Sequence, residues 1–332
     1  MDLLIAQCGG PTAVINASLA AFVEAAQENR RIDRVFGARL GLEGLRSGDW
    51  VELTALTRPQ LERLGRQPGA ALGGGRYRPS QGDFQHALEL LVDRDIGGVA
   101  LIGGNGTMAA AHRLATLAQQ QHAPVGIVGM PKTIDNDLVG AEVAPGYGSA
   151  ARFIGEMVQN VGLDLYSMRH FDDVVVIELM GRHAGWLAAA AALLRRPDGA
   201  PHLILVPEAR LNEAALLAQV AEIYARHEAC LVVTAEGVRD EAGNYLAEKQ
   251  AALPRDASGQ RLLSLAAGVA PYLASRILRE LGLRCRQIRP DLIQRSCRLA
   301  VSEADITLAR LTGAKAVETL VAGLSDTMIG LV

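Results

Sequence analysis

The chain reads, from residue 125 to residue 137, Val125-Gly126-Ile127-Val128-Gly129-Met130-Pro131-Lys132-Thr133-Ile134-Asp135-Asn136-Asp137. Its apolar half predicts a buried strand, and its polar half places two carboxylates, a hydroxyl and an ammonium where that strand ends. These groups suit phosphoryl transfer, because Asp135 can take a proton from a hydroxyl, Thr133 and Lys132 can hold phosphate oxygens, and Asp137 can hold Mg²⁺ directly or through water. The alternative is an ordinary turn, in which Asp and Asn side chains bond to their own backbone.

Similar apolar runs recur along the chain and alternate with patterns of helical spacing. The runs cover residues 3–6, 99–102, 125–128, 174–177, 203–206 and 231–233, and helical spacing occurs at 13–27, 109–119 and 213–226. This alternation predicts an α/β fold with mostly parallel sheets and with catalytic groups at the carboxyl ends of strands. Because no Ser/Gly-rich linker marks a boundary, any two lobes are expected to be interleaved.

Composition limits the classes of function. With 332 residues and 49% hydrophobic residues, the chain can bury a substantial core, and its net charge of −3 gives no broad attraction to nucleic acid or membrane. The four cysteines form no CxxC pair, so cysteine-metal chemistry is not expected. Without a leader-like start or an apolar run long enough for a spanning helix, we predict a cytoplasmic protein.

Two glycine-rich turns each follow a predicted strand and precede a predicted helix. The first contains Gly9 and Gly10, and the second contains Gly103, Gly104 and Gly106. Glycine lets backbone amides approach an anion, and a helix N-terminus attracts negative charge, so both turns are candidate phosphate sites. Strand-to-helix turns also use glycine for steric reasons alone, and neither turn matches a standard nucleotide motif.

Several charged residues complete the set of candidates. Arg76 follows the glycine cluster 73–75 and could neutralise charge on a transferred phosphoryl group. Arg182 and Glu236 each follow a predicted strand, where they could reach a substrate. Four further arginines cluster near the C-terminus, and a solvated or salt-bridged surface is the ordinary alternative for each: Arg284, Arg286, Arg289 and Arg295.

The order of these motifs strongly resembles the phosphofructokinase family, from about Leu3 to Gly313. The resemblance is carried by the two glycine turns, the segment 131–137, the segment 180–186 that reads Met-Gly-Arg-His-Ala-Gly-Trp, and the Ile293-Gln294-Arg295 element. It is closest to the branch that includes diphosphate-dependent members. It implies two interleaved Rossmann-like lobes, a phosphoryl-donor lobe of residues 1–145 plus about 294–332 and a sugar-phosphate lobe of about 146–293.

The resemblance also implies an activity and a set of residue roles. The activity is transfer of a phosphoryl group from ATP or diphosphate to the 1-hydroxyl of fructose 6-phosphate, with Mg²⁺, by a homodimer or homotetramer. Asp135 is the implied base, with Thr133, Lys132 and Arg76 beside the transferred group. The implied donor residues are Gly10, Arg39, Gly104, Asn105, Gly106 and Thr107, the implied substrate residues are Asp137, Met180, Gly181, Arg182, Glu236, Arg286 and Arg295, and the implied Mg²⁺ residues are Asn105 and Asp137.

Two positions, Gly106 and Lys132, give opposite indications about the donor. Family members with glycine at the position of Gly106 have room for a nucleotide, whereas diphosphate users have aspartate there. Lys132 indicates diphosphate, since many ATP users have glycine at that position, and Arg39 stands where bacterial ATP enzymes place a tyrosine. The two indications are nearly balanced. The prediction leans to ATP. The side chain of Lys132 is long and could move aside for a nucleotide, whereas the open space that Gly106 leaves for a nucleotide is harder to fill.

Three positions depart from the family pattern. Asn105 replaces an aspartate and contributes no charge to a metal site. Leu292 replaces a histidine or tyrosine that contacts the 6-phosphate, and Asp173 replaces an arginine of the neighbouring subunit. A carboxylate facing a phosphate would repel it, unless Arg169, His170, Arg284 or Arg289 compensates. These departures keep two alternatives open: another phosphosugar or a polyol as acceptor, and a regulatory subunit without catalysis. A lipid or NAD kinase is a more distant alternative, because the loop from Gly103 to Thr107 suits those enzymes as well, although the downstream motifs argue against it.

Overall fold

The structure, a computed structural model, describes residues 1–195, 199–249 and 268–331. Its backbone contacts group the chain into two compact units, which we describe separately. Unit 1 contains Met1–Ser149 and the chain from Arg295 onward, and unit 2 contains Ala150–Gln294. The predicted α/β class with mostly parallel sheets is confirmed.

Unit 1 is built on a six-stranded sheet with the order β12-β5-β4-β1-β2-β3. Its strands are β1 (Asp2–Gln7), β2 (Val35–Ala38), β3 (Trp50–Glu52), β4 (Ile96–Gly103), β5 (Gly126–Pro131) and β12 (Thr327–Met328). All pairs are parallel except β2 with β3. The central strands are covered on both faces, which explains why they read as continuous apolar runs.

Helices cover both faces of this sheet. They are α1 (Ile15–Glu28), α2 (Leu42–Ser47), α3 (Arg58–Gly65), α4 (Gln81–Asp93), α5 (Asn105–Gln120) and α11 (Glu303–Val321). One core lies between the sheet and α1, α3 and α11, and it includes Leu3, Phe22 and Val317. The other core lies between the sheet and α2, α4 and α5, and it includes Leu4, Leu88 and Leu114. Unit 1 is therefore a three-layer α/β unit.

Unit 2 contains a four-stranded parallel sheet with the order β11-β6-β9-β7. The strands are β6 (Val174–Leu179), β7 (Leu203–Leu205), β9 (Cys230–Ala235) and β11 (Cys285–Ile288), and β8 (Arg210–Leu211) pairs with β10 (Arg239–Asp240). The remaining helices of the described ranges are α6 (Tyr147–Ser167), α7 (Trp186–Ala190), α8 (Glu213–His227), α9 (Val269–Leu281) and α10 (Ile293–Ser296), of which α6 begins and α10 ends in unit 1. Short 3₁₀ turns lie at Leu246–Glu248 in unit 2 and at Arg298–Ala300 in unit 1. None of the helices in the described ranges combines the length and the apolar composition that crossing a bilayer requires.

Candidate active site

Three neighbouring strands of unit 1 end at the same edge of the sheet, and each is followed by one of the predicted donor motifs. Gln7 of β1 is in register with Ile102 of β4, and Gly103 of β4 is in register with Pro131 of β5. The two glycine turns and the segment that starts at Lys132 therefore lie side by side. This edge carries the carboxyl ends of parallel strands, where ligands bind in open α/β sheets.

The ammonium group of Lys132 lies beneath the first glycine turn. The residue is only 4% exposed, and its Nζ donates hydrogen bonds to the carbonyl oxygens of Cys8 at 2.9 Å and of Gly10 at 2.7 Å. Burial lowers the pKa of Lys132 to about 8, while the nearby carboxylate of Asp135 acts to raise it. The lysine is thus a fixed, buried cation that an added anion at this edge would stabilise.

Arg295 adds a second cation at the same turn. A Cβ atom at Gly10 would lie 2.9 Å from Nη1 of Arg295, so glycine leaves room for the guanidinium group. The Nε atom of Arg295 is buried and has no hydrogen-bond partner among the described residues. Burial, followed by the charge of Arg76, lowers the pKa of Arg295. Lys132, Arg295 and Arg76 therefore share one electrostatic environment beside Gly10, with donors to offer a polyphosphate.

The glycine cluster before Arg76 packs closely against the first turn. Gly75 accepts a hydrogen bond from the backbone nitrogen of Gly9 at 3.1 Å, and a Cβ atom at Gly74 would overlap the carbonyl oxygen of Gly9. Glycine is therefore needed for the close approach of two backbone segments, and Arg76 itself is exposed.

The second glycine turn starts α5. Gly104 is the N-cap residue, and its carbonyl oxygen accepts from the backbone nitrogen of Thr107. Gly103 has no space for a side chain, since a Cβ atom there would overlap Thr107. Gly106 differs, because no heavy atom lies within 4 Å of the position that its Cβ would take. The open space predicted at this position is present.

Asn105 is directed at Asp137. Its Nδ2 donates to the Oδ2 of Asp137 at 2.8 Å and to the Asp137 carbonyl at 3.3 Å. The described residues contain no cluster of three or more His, Cys, Asp or Glu side chains that could hold a metal ion by themselves. The pair still fits Mg²⁺, which proteins commonly bind through one or two carboxylates together with substrate phosphates and water.

Within the segment 133–137, the turn chemistry falls on Asn136. Its φ is +52°, its Oδ1 accepts from the Ala144 nitrogen at 2.8 Å, and its Nδ2 donates to the Glu142 carbonyl at 3.0 Å. Asp135 is half-buried, and its backbone nitrogen donates to the Oγ1 of Thr133 at 3.1 Å. The turn interpretation therefore describes Asn136, while the carboxylate of Asp135 lies close enough to Lys132 to affect its pKa.

Arg39 follows β2 at the same edge of the sheet. Its Nε lies 3.9 Å from Oδ1 of Asp49, and both side chains are mostly exposed. This is a surface ion pair between exposed groups, which contributes little to stability.

In unit 2, two neighbouring strands bring most of the predicted acceptor residues together. Glu236 follows β9, and its nitrogen donates to the carbonyl of Leu179, the last residue of β6. Gly237 donates to Gly181 in the same way, at 3.2 Å. The Nε of Arg182 is buried and has no hydrogen-bond partner among the described residues. Met180, Gly181, Arg182 and Glu236 thus lie at one edge of the four-stranded sheet.

Arg286 does not join this group. It lies in β11 in register with Val175, near the amino end of β6, whereas Met180 follows its carboxyl end. Five strand residues separate these levels, which corresponds to about 16 Å. Within one chain, Arg286 and Arg182 therefore occupy opposite ends of the sheet.

The carboxylates before β6 are each paired with an arginine of the neighbouring strand region. Asp172 accepts from Nε of Arg286 at 2.6 Å. Asp173 accepts from Nε of Arg284 at 2.9 Å, from Nη2 at 2.8 Å and from the Arg284 backbone nitrogen at 2.7 Å. These bonds lower the pKa of Asp173. Of the four candidates for compensating its charge, Arg284 makes this contact.

Two residues of unit 2 were not assigned a role from the sequence. Gln294 is buried, and its Oε1 accepts from the nitrogen of Met180 at 3.0 Å, which holds the acceptor segment. Glu178 is buried, accepts from the nitrogen of Ala270 at the start of α9, and lies 3.7 Å from Arg289. Burial raises the pKa of Glu178. The available sequence signal was a polar residue inside an apolar strand, Glu178 within Val174–Leu179.

The α/β fold, together with the cations Lys132, Arg295 and Arg76 beside Gly10 at the edge of the sheet of unit 1, defines an α/β phosphotransferase. The family model named Phosphofructokinase matches residues 2–320, and the chain belongs to the phosphofructokinase family.

Named relatives agree with this membership. The chain is 37% identical, over 98% of its length and 78% of the relative, to the pyrophosphate–fructose 6-phosphate 1-phosphotransferase of Xanthomonas campestris pv. campestris. It is 35% identical, over its whole length and 83% of the relative, to the sulfofructose kinase of Alkalicoccus urumqiensis. The crystal structure of pyrophosphate-dependent phosphofructokinase from Nitrosospira multiformis superimposes with a TM-score of 0.87 at 31% identity, covering 98% of this chain and 77% of that one.

Proposed function

We propose that the protein transfers a phosphoryl group from diphosphate to the 1-hydroxyl of fructose 6-phosphate, giving fructose 1,6-bisphosphate. The observation that carries the proposal is the buried ammonium of Lys132 beneath the first glycine turn, with Arg295 against Gly10 and Asp135 within electrostatic reach. A fixed set of cations beside a carboxylate supplies both charge stabilisation and a base.

The proposed roles follow from these positions. Asp135 accepts the proton of the 1-hydroxyl as its oxygen bonds to the terminal phosphorus. The bond from that phosphorus to the bridging oxygen then breaks, and orthophosphate leaves. Lys132, Arg295 and Arg76 offset the charge that develops on the donor, while Thr133 lies beside the transferred group. Unit 1 is thereby assigned to the donor, and the Met180, Arg182 and Glu236 edge of unit 2 to the acceptor.

Magnesium ion belongs to the same proposal. Asp137 and the amide of Asn105 would hold it together with phosphate oxygens of the donor. When bound, it neutralises phosphate charge and orients the phosphoryl group.

Two observations support diphosphate over ATP. The sequence-based prediction of ATP depended on the side chain of Lys132 being easy to move. Lys132, however, is buried and makes two hydrogen bonds, so moving it would break both and leave two carbonyl groups unpaired. The relatives from Xanthomonas campestris and Nitrosospira multiformis are also named as diphosphate users. The second candidate donor is ATP, which the open space at Gly106 favours.

A second candidate acceptor has a different group at carbon 6. Asp172 and Asp173 neutralise Arg286 and Arg284, which weakens this region as a site for a phosphate dianion. A relative that matches this chain over its whole length is named sulfofructose kinase, so a sulfonated sugar is the specific alternative.

A homodimer or homotetramer is proposed as the working form. Arg286 lies at the other end of the sheet from Arg182, so one chain cannot bring both to one sugar phosphate. A second copy could supply the missing arginine. A cytoplasmic location remains a prediction from the sequence.

The test measures phosphoryl transfer with purified protein, using diphosphate and ATP at matched free Mg²⁺. The acceptors are fructose 6-phosphate, a sulfonated fructose, sedoheptulose 7-phosphate and unphosphorylated fructose. We expect the highest kcat/KM with diphosphate and fructose 6-phosphate. Gly106→Asp should leave diphosphate use intact and abolish any use of ATP. Lys132→Gly should abolish diphosphate use and leave any use of ATP intact. No turnover with either donor would refute the proposed function, and a preference for ATP would establish the second donor.

A further inference from the structure

Two buried amide side chains flank the first glycine turn and have no role in the proposed chemistry. Gln7 is the last residue of β1, and Asn16 is the second residue of α1. They are 0% and 2% exposed, and Nε2 of Gln7 donates to Oδ1 of Asn16 at 2.8 Å. Buried amides are costly unless their polar atoms are bonded, so their partners indicate what the pair is for.

The partners lie in one segment that is distant in sequence. Oε1 of Gln7 accepts from the backbone nitrogen of Leu72 at 2.8 Å. Oδ1 of Asn16 also accepts from the nitrogen of Ala71 at 3.0 Å, and its Nδ2 donates to the carbonyl of Gln67 at 2.9 Å. Leu72 lies four residues before Arg76. The amide pair therefore ties β1 and α1 to the stretch of chain that leads directly to this arginine.

Further bonds continue this attachment up to the glycine turn. The nitrogen of Gly69 donates to the carbonyl of Thr12 at 3.1 Å, and the nitrogen of Gly9 donates to the carbonyl of Gly75. Residues 67–75 are thus fixed to the elements around the turn at the amide pair, at Gly69 and at Gly75.

We infer that Gln7 and Asn16 are positioning residues for phosphoryl transfer, which set the place of Arg76 relative to the first glycine turn. The inference rests on the proposed function, since Arg76 is assigned to the donor. Arg76 is exposed, so its own side chain contacts do not fix it, and its position depends on the backbone that carries it. A displacement of about 1 Å at a charge-stabilising group is enough to lower a rate a hundredfold.

Amides are required here because each side chain donates and accepts at once. Gln7→Glu keeps an acceptor for Leu72 but turns an oxygen toward Oδ1 of Asn16. If Asn16 then rotates to donate, it gives up the bond from Ala71. Asn16→Asp similarly sets a carboxylate against the carbonyl of Gln67. Each isosteric change thus releases part of the segment without leaving a cavity.

The experiment is a double-mutant cycle with Arg76→Ala. Gln7→Glu and Asn16→Asp are each made in the wild-type and Arg76→Ala backgrounds, and kcat/KM is measured for the donor. Gln27→Glu is the matched control, because that amide lies on α1 and donates to the carbonyls of Thr54 and Leu56, away from the segment 67–75. Hydrogen exchange at the nitrogens of Ala71 and Leu72 is followed in parallel.

In the wild-type background, each amide change should lower donor kcat/KM about tenfold or more, because the released segment no longer holds Arg76 in place at the donor. It should cause no further loss in the Arg76→Ala background, leave the acceptor KM unchanged and speed exchange at Ala71 and Leu72. Gln27→Glu should have none of these effects.

Equal losses in both backgrounds would show that the pair only supports the fold, and unchanged exchange would show that it does not hold the segment. Either result overturns the inference. If Asn16→Asp does not fold, Gln7→Glu completes the cycle alone. If the wild type transfers nothing from either donor, the proposed function fails, and exchange at Ala71 and Leu72 separately decides whether the pair fixes the segment.

Discussion

Lys132 is the residue whose surroundings most directly determine the chemistry of unit 1. Its ammonium is held by the carbonyls of Cys8 and Gly10, next to a second cation, Arg295. The motif order indicated that this lysine would meet the donor. Its burial could not be predicted, because it depends on how the first glycine turn folds over it.

The pH dependence of donor use tests this environment. Burial lowers the pKa of Lys132 to about 8, so the ammonium is charged below that pH and loses its proton above it. The kcat/KM for the donor, which reports the free enzyme, should therefore fall as the pH rises through about 8. The arginine of Lys132→Arg stays charged throughout this range. The donor kcat/KM of this variant should therefore not fall as the pH rises through about 8, even if the variant is slower than the wild type at every pH. An identical fall in wild type and Lys132→Arg would contradict the assignment.

Asn105 gives a second prediction at this scale. It places an amide 2.8 Å from the carboxylate of Asp137. Asn105→Asp would add a negative ligand there, and the concentration of Mg²⁺ needed for half-maximal rate should fall roughly threefold or more. Asn105→Ala, which removes the contact without adding charge, should raise it. An unchanged Mg²⁺ requirement in Asn105→Asp would remove this pair from the metal site.

At the scale of elements, β1, β4, β5, β6 and β9 could be predicted because both of their faces are buried. The half-buried edge strand β7 could be predicted from its short apolar run alone. The apolar runs at 3–6, 99–102, 125–128, 174–177, 203–206 and 231–233 correspond to β1, β4, β5, β6, β7 and β9. The sequence did not indicate β2, β3, β8, β10, β11 and β12, which are short. β3 and β12 are the edges of one sheet and β11 an edge of the other, and β11 is half exposed with Arg286 and Gln287 on its surface. Such strands carry too little apolar pattern to be recognised.

The start of α6 depends on one buried carboxylate of α11. Asp305 is 1% exposed and accepts hydrogen bonds from the nitrogens of Gly146 and Ser149 at 2.9 Å and from the Ser149 hydroxyl at 2.6 Å. A carboxylate at a helix N-terminus satisfies unpaired N–H groups and meets the positive end of the helix dipole.

Asp305→Ala should lower the free energy of unfolding by about 3 kcal/mol, because three buried donors lose their acceptor. Asp305→Asn keeps one acceptor and should cost about half as much. Urea unfolding followed by circular dichroism measures both. Asp326→Asn, at a more exposed carboxylate that contacts His112, is the control and should change little. A loss in Asp305→Ala no larger than the control's would show that α6 does not need this cap.

At the scale of the whole molecule, the order of motifs was enough to predict the α/β fold and the family. The pairing of Asp172 and Asp173 with Arg286 and Arg284 could not be predicted, since it joins residues more than a hundred positions apart. The separation of Arg286 from Arg182 likewise follows from strand register rather than from sequence order.

That separation predicts complementation between subunits. Arg182→Ala and Arg286→Ala should each lose most activity when expressed alone. Co-expressed with different tags and purified as a mixed oligomer, the two variants should regain activity, because some shared sites would carry neither change. An activity equal to the sum of the two separate variants would show that sites are not shared.

The central claim is that Asp135 takes the proton of an acceptor hydroxyl while a polyphosphate is held beside Lys132 and Arg295. The most direct measurement compares wild type and Asp135→Asn in phosphoryl transfer from diphosphate to fructose 6-phosphate, followed by ³¹P NMR. We predict fructose 1,6-bisphosphate from the wild type, and a kcat in Asp135→Asn lower by about three powers of ten with donor binding retained. A variant that turns over within tenfold of the wild type would contradict the account.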